Sequence, residues 1–234
     1  MSDVNDPLAY LEEERLRPSG SRVEFQQQLA ACDALLIEAA QRVSCAIVPV
    51  TNAFLQADRH ASDALIAADA EVDRRCLELE ELCYLLIARQ SPVAGDLRRL
   101  VAILRCVADV QRSGDLLRHV AESLRWVHPP SMPEELRRTI GQLGAVAAEI
   151  FSGSVDAWRR HDPLAATELQ VRDDHADLLQ KVLLTDIYTG SQSVEESVSL
   201  ALIARYYERI ADHAVSMARR VVYLVTGQNP PHFE

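Results

Sequence analysis

The chain has 234 residues, 48% hydrophobic and 25% charged, enough to bury a sizeable core as one domain or two small ones. A formal net charge of −11 argues against a nucleic-acid binder, whose basic face must neutralise phosphates, and against docking on an anionic membrane by charge alone. Glycine is scarce, with 8 in all, while Ala, Leu, Glu and Arg abound, a balance that favours helices over strands and turns.

Residues 1–21 are polar and acidic, lack the apolar stretch of a signal peptide, and read as a tail closed by Pro18-Ser19-Gly20. Two long helical intervals follow, 22–57 and 58–89; in the second, Leu65, Val72, Cys76, Leu79, Cys83 and Leu86 recur at alternating three- and four-residue spacing. Ser91 before Pro92 reads as an N-cap with proline at the first helical position, opening a helix over 92–127. The run His128-Pro-Pro-Ser-Met-Pro133 then separates the chain into halves. Breakers at His161-Asp-Pro163 and Tyr188-Thr-Gly-Ser191 divide the second half into helices over 133–160, 163–188 and 194–226. In the last of these, Ile203, Tyr207, Ile210, Ala214, Met217, Val221 and Leu224 form the apolar stripe. Gly227 to Pro231 ends it, leaving 228–234 as a C-terminal tail.

Helices of about 30 residues are roughly 45 Å long, the length of bundle helices. The expected fold is all-α: two tandem three-helix bundles, over 22–128 and 133–227. The five cysteines are odd in number and form no C-x-x-C pair, so they read as reduced small hydrophobes and not as a disulfide frame or zinc site. No stretch of about 18 uninterrupted apolar residues occurs, so the expectation is a soluble, intracellular protein with no membrane span.

The halves resemble each other. A shift of 104 residues pairs Ala53, Asp58, Ala61, Leu65, Asp69, Asp73 and Leu79 with Ala157, Asp162, Ala165, Leu169, Asp173, Asp177 and Leu183, without a gap. A shift of 97 pairs Val101, Arg112, Asp115 and Ala121 with Val198, Arg209, Asp212 and Ala218. The difference falls between the second and third helix of each unit, where a loop absorbs it.

Within this repeat stand three carboxylate pairs at i,i+4 spacing: Asp69 with Asp73, Asp173 with Asp177, and Glu208 with Asp212. A fourth position, Gln111 with Asp115, has an amide in place of the first acid. Such spacing puts both side chains on one helical face, and like charges so placed cost an isolated helix about 0.2–0.5 kcal/mol. A hard cation ligated from facing helices would offset that cost; the alternative is an ordinary solvated acidic face. Asp69 continues the apolar stripe of Val72 and so approaches the bundle seam, and Ala201, Ala204, Ala211 and Ala218 let a helix come close to Glu208 and Asp212.

Several segments match a known family. The run Gln90-Ser-Pro-Val-Ala-Gly-Asp-Leu-Arg98 resembles the "QPVA.DLR" opening of the third helix of PhoU proteins. Asp109-Val-Gln-Arg-Ser-Gly-Asp115 resembles their "DLERIGD" element, and Tyr207-Glu-Arg-Ile-Ala-Asp-His213 its second copy. Arg22-Val-Glu-Phe25 is similar to the N-terminal "R..F", so the resemblance covers about 22–227. It implies two three-helix bundles related by a pseudo-twofold, a cytoplasmic location, and a homodimer. It also implies a negative regulator of phosphate uptake and of the phosphate-starvation response. Such a regulator couples the ATPase of the Pst transporter (PstB-like) to a PhoR-like sensor histidine kinase, reaching the membrane only through these partners.

The resemblance further implies a bound metal, magnesium, manganese, zinc or iron. Its ligands would be Asp69, Asp73, Asp173, Asp177, Glu208 and Asp212, with Asp115 completing the first repeat. Gln111 departs from the pattern: an amide carries no charge, so the first site should hold a divalent ion less tightly than the second.

Rival readings are a metal-independent helical adaptor, a PhoU-like accessory of another phosphate transporter, and a carboxylate-bridged metalloenzyme. The last lacks the Glu-x-x-His motifs of di-iron bundles, and no G-x-S-x-G, P-loop or H-E-x-x-H motif supports a hydrolase. His119 and His213 lie near the acids and read as auxiliary ligands or as polar partners. Arg98, Arg99, Arg219 and Arg220 could suggest a phosphate patch, but arginine pairs on long helices are more often solvated or salt-bridged.

Overall fold

The computed structural model describes residues 22–228; the expected tails at 1–21 and 229–234 lie outside the described residues. Six α-helices make up almost all of it: α1 (Arg22–Leu55), α2 (Arg59–Gln90), α3 (Ala94–Glu122), α4 (Glu134–Arg160), α5 (Ala165–Thr189) and α6 (Val194–Thr226). Two single 3₁₀ turns, Ser123–Arg125 and Pro129–Ser131, lie between α3 and α4, and no strand occurs among the described residues.

Each helix exists because one stripe of it can be buried. Phe25, Leu29, Cys32, Leu36, Ala39, Val43, Ile47, Val50 and Phe54 of α1 alternate in steps of three and four and are all buried. By length and composition alone α1 would also cross a membrane, its apolar window averaging a hydropathy of 1.4. Its apolar stripe is instead covered by α2, α3 and α4. Pro49 lies on the exposed side of this helix, where its missing N–H leaves the Cys45 carbonyl to solvent.

The repeat extends to the turns. Ala57 ends the first turn at φ 55°, and its equivalent His161 ends the other at φ 53°. In both, the following aspartate donates its N–H back across the turn, Asp58 to the Ala53 carbonyl at 2.9 Å and Asp162 to that of Ala157 at 3.0 Å. The Asp58 side chain then caps α2 by accepting from the Ala61 N–H at 2.9 Å.

The other helix starts differ from one another. Ser193 opens α6 with a reciprocal capping box to Glu196. Ser91, expected to cap α3, instead closes α2: it adopts φ 43° and donates its N–H to the Ile87 carbonyl at 3.2 Å. Pro92 follows the stop, and Val93 begins α3 with no side-chain cap. The physical reason is that the chain must reverse here, and a left-handed residue at the helix end makes the reversal. The expected helix over 92–127 is likewise shorter, its last residues tightening into the 3₁₀ turn at Ser123.

Helices α1, α2 and α3 pack on one another, as do α4, α5 and α6, and the two bundles join through α1 against α4 and α3 against α6. The apolar core is continuous across that seam. Gly144 lets α4 approach α1: an added Cβ would stand 2.4 Å from Thr51 Oγ1. That hydroxyl shares a 2.7 Å hydrogen bond with Tyr207 Oη of α6, itself fully buried. All five cysteines are free; four are buried in the core and Cys45 is exposed.

Candidate functional site

The acidic positions fall on two equivalent helix pairs, α2 facing α3 and α5 facing α6. In the first bundle each motif acid already has a partner. Asp69 Oδ2 accepts from Arg118 Nε at 3.3 Å, and Asp115 Oδ1 accepts from Arg118 Nη2 at 2.6 Å. Glu122 Oε1 lies 3.4 Å from Nη1 of the same guanidinium. Asp73 Oδ1 accepts from the Gln111 amide at 3.0 Å, so the departing residue of the motif is used as a donor. The backbone of α3 runs against Asp69 at Gly114, where a Cβ would fall 2.5 Å from Oδ1. Burial, with Asp73 and Asp115 nearby, pushes the Asp69 carboxyl above its ordinary range, opposed by Arg118.

The second bundle is arranged otherwise. Asp173, Asp177 and Asp212 line a cleft of about 670 Å³ between α5 and α6, with Asp174, Gln170, His213, Val215 and Arg219 around them. Asp173 is 7% exposed, and its Oδ1 is buried with no hydrogen-bond partner. Its other oxygen accepts from Gln170 Nε2 at 3.4 Å. Glu208, also 7% exposed, repeats the situation: Oε1 is paired with Arg205 at 2.5 Å, while Oε2 is buried without a partner. Burial, then Asp212 and Asp177, push the Asp173 carboxyl up to about 7; burial and Asp212 do the same for Glu208, also to about 7.

Two orphaned buried carboxylate oxygens, one on each helix of the pair, are the chemistry a hard cation satisfies. Asp173, Asp177, Glu208 and Asp212 therefore fit a divalent ion by charge and oxygen donors. They are not gathered into a ready-made ligand set: among the described residues no three His, Cys, Asp or Glu side chains converge closely enough to hold a metal. Asp212 is exposed, whereas Asp173 and Glu208 are buried.

The remaining candidates serve structural ends. His213 is buried, with Nδ1 3.4 Å from Asp109 Oδ1, and His119 contacts Glu122 at 3.4 Å while its ring leans on Tyr206. The four arginines do not form a phosphate patch. Arg99 pairs with Asp33 of α1, Arg220 with buried Asp109, Arg219 with the Gln170 carbonyl, and Arg98 lies against the Gly227 turn.

Sequence reasoning missed Arg118, although the signal was available. The offset of 97 that aligns Asp115 with Asp212 also aligns Arg118 with Val215, a change from apolar to cationic beside the motif. Asp33 and its partners Arg99 and Trp158, whose indole N–H donates to Asp33 Oδ1 at 3.1 Å, left no such trace.

Comparison with known proteins gives one family. A description of the PhoU domain matches the chain twice, over 36–124 and 140–221. The phosphate-specific transport system accessory protein PhoU homolog 2 of Mycobacterium tuberculosis is 35% identical over 212 residues, which are 89% of this chain and all of that one. PhoU homolog 1 of Mycobacterium leprae is 34% identical, covering 89% of this chain and 96% of its own length. Among solved structures, PhoU from Pseudomonas aeruginosa superposes with a TM-score of 0.81 at 24% identity, over 87% of this chain and 100% of its own. The phosphate transport system regulatory protein PhoU from Streptococcus pneumoniae gives 0.80 at 21%, over 88% and 99%. At those identities the two structures speak for the fold alone.

Proposed function

Because this chain belongs to the PhoU family, a family of accessory and regulatory proteins and not of enzymes, we propose that it regulates phosphate-specific transport. On this reading it restrains uptake and the phosphate-starvation response when phosphate is plentiful, by contact with the transporter ATPase and with a sensor histidine kinase. The observation that carries the reading is that both repeats match the family and the relatives named as transport accessories align along their whole length.

The part we assign to the second cleft is cation-dependent. Asp173 and Asp177 on α5, with Glu208 and Asp212 on α6, would hold a divalent ion such as Mg²⁺ or Mn²⁺, which supplies charge neutralisation across the two helices. The chain's own contribution is to bury two oxygens without protein donors, which a cation would satisfy. A cell lacking this gene, complemented with the quadruple variant Asp173→Asn, Asp177→Asn, Glu208→Gln, Asp212→Asn, should fail to silence a phosphate-starvation reporter in high phosphate. Wild type should silence it, and circular dichroism should show both proteins folded.

A second reading has one observation in its favour, the lack of a converged ligand set among the described residues. Here the chain is an adaptor and the cleft acids set surface charge only. Full silencing by the quadruple variant would select it. Recovery of neither the transporter ATPase nor the kinase with the tagged protein, from phosphate-replete cells, would remove both readings.

A further inference from the structure

We infer that the first repeat carries its own cation: Arg118 stands where the second repeat is open, so the α2–α3 acids take no metal. The guanidinium reaches three carboxylates at once, Asp69 at 3.3 Å across the helix pair, Asp115 at 2.6 Å and Glu122 at 3.4 Å along its own helix. Its repeat equivalent, Val215, lines the acidic cleft and offers nothing to an anion. The neighbouring substitutions change the partners of the acids. Gln111 stands for Glu208 and donates to Asp73, and the position of Glu122 is taken in the second repeat by Arg219, which is turned to Gln170.

The six equivalent positions carry the same formal charge in each repeat, four acids and one arginine, and differ in where the arginine stands. In the second, Arg219 is turned to Gln170 and Val215 stands beside the acids, whereas Asp69, Asp73 and Asp115 have Arg118 between them. Two of the latter already spend their charge on one guanidinium, and a divalent ion entering there would face that fixed positive group. No oxygen of Asp69, Asp73 or Asp115 is among the buried atoms without a partner, while Asp173 and Glu208 each contribute one. The backbone at Gly114, closed on Asp69 Oδ1, leaves that carboxylate little room to turn away from Arg118.

The consequence is a division of labour between copies of one unit. Helices α2 and α3 are held at a fixed spacing by Arg118–Asp69 and Gln111–Asp73, independently of any ligand. Helices α5 and α6 are tied across the cleft by Arg219–Gln170 alone among these positions. Any divalent cation the chain takes is therefore bound in the second bundle.

Two measurements with Mn²⁺ test this. In the wild-type chain, Asp69→Asn should leave the number of Mn²⁺ ions bound, read from the loss of free-ion paramagnetic resonance signal, unchanged; loss of a bound ion would overturn the inference. The converse test uses Gln111→Glu with Arg118→Val, made in a background whose second cleft is neutralised by Asp173→Asn and Glu208→Gln. The background should bind no Mn²⁺, and the added pair should create one site, tightening binding at least tenfold and raising the melting temperature with the ion. No gain in the folded variant would overturn the inference. If Arg118→Val prevents folding with and without Mn²⁺, Arg118→Gln in the same background decides by the same criterion. The outcome does not depend on whether the second cleft binds a cation in wild type, since it is removed throughout the second test.

Discussion

Asp109 and Asp173 are both buried carboxylates, at 6% and 7% exposure, and the structure treats them in opposite ways. Burial pushes the Asp109 carboxyl up, but the hydrogen bonds of His213 and Arg220 outweigh it and hold the group below its ordinary range. Asp173 keeps an oxygen with no donor and is pushed up to about 7. The Asp109–Arg220 pair joins α3 to α6 and thus one bundle to the other. Breaking a fully buried pair by removing one partner costs about 3–5 kcal/mol; with Arg220 22% exposed, Asp109→Ala should cost about 2–3 kcal/mol. Arg220→Met should then add little to Asp109→Ala, and urea unfolding of the single and double variants should give a coupling of at least ~1 kcal/mol. Simple additivity would show that the pair contributes nothing as a pair. None of this was legible in the sequence, where Asp109 was only the first letter of a motif. A partner 111 residues away is selected by helix crossing, which periodicity does not encode.

Helix spans were the most legible level, because a continuous three-and-four stripe survives any error at its ends. The edges of α1, α2, α4, α5 and α6 fall within two residues of the spans expected from the sequence. Ser91 was misread because a serine before proline serves as well to end one helix as to begin the next, and only the left-handed φ of 43° decides. Close helix approach was equally hidden: Gly144 looks like any helical glycine, yet its missing Cβ is what admits Thr51. In an exposed helix Gly→Ala is stabilising by roughly 0.5–1 kcal/mol, whereas overpacking costs about 1–3 kcal/mol. Gly144→Ala should therefore destabilise by about 1 kcal/mol. In a Thr51→Ala background the penalty should shrink, since two of the three crowding atoms, Oγ1 and Cγ2, are gone. Thermal melts of the four proteins in this cycle check it, and a stabilising Gly144→Ala would mean that α1 and α4 do not cross this closely.

On the scale of the molecule, the duplication makes two bundles but not two independent cores. Apolar packing runs without a break from Phe25 and Leu29 in α1, through Ile103 and Val107 in α3, to Ile203, Ile210 and Met217 in α6. The seam also buries Thr51–Tyr207, Asp33–Trp158 and Asp109–Arg220, polar pairs whose separation would strand groups away from water. A bundle that unfolded alone would expose that face of its neighbour, so the free energy of each is bound up with the other. Calorimetry should accordingly show a single transition whose calorimetric and van't Hoff enthalpies agree; two resolved peaks would show that the seam is a mere contact between separate domains. This cooperativity gives a local event a global reach. If Mn²⁺ binds only between α5 and α6, it stabilises the folded state as a whole, and α1 amides such as those of Leu36 and Val43 exchange through the same global opening. Their hydrogen exchange should slow by the same factor as that of Leu183 in α5 when Mn²⁺ is added, although no acid of the cleft lies on α1. Slowing confined to α5 and α6 would place the cation's influence within one bundle and remove the means by which this fold could pass the signal on.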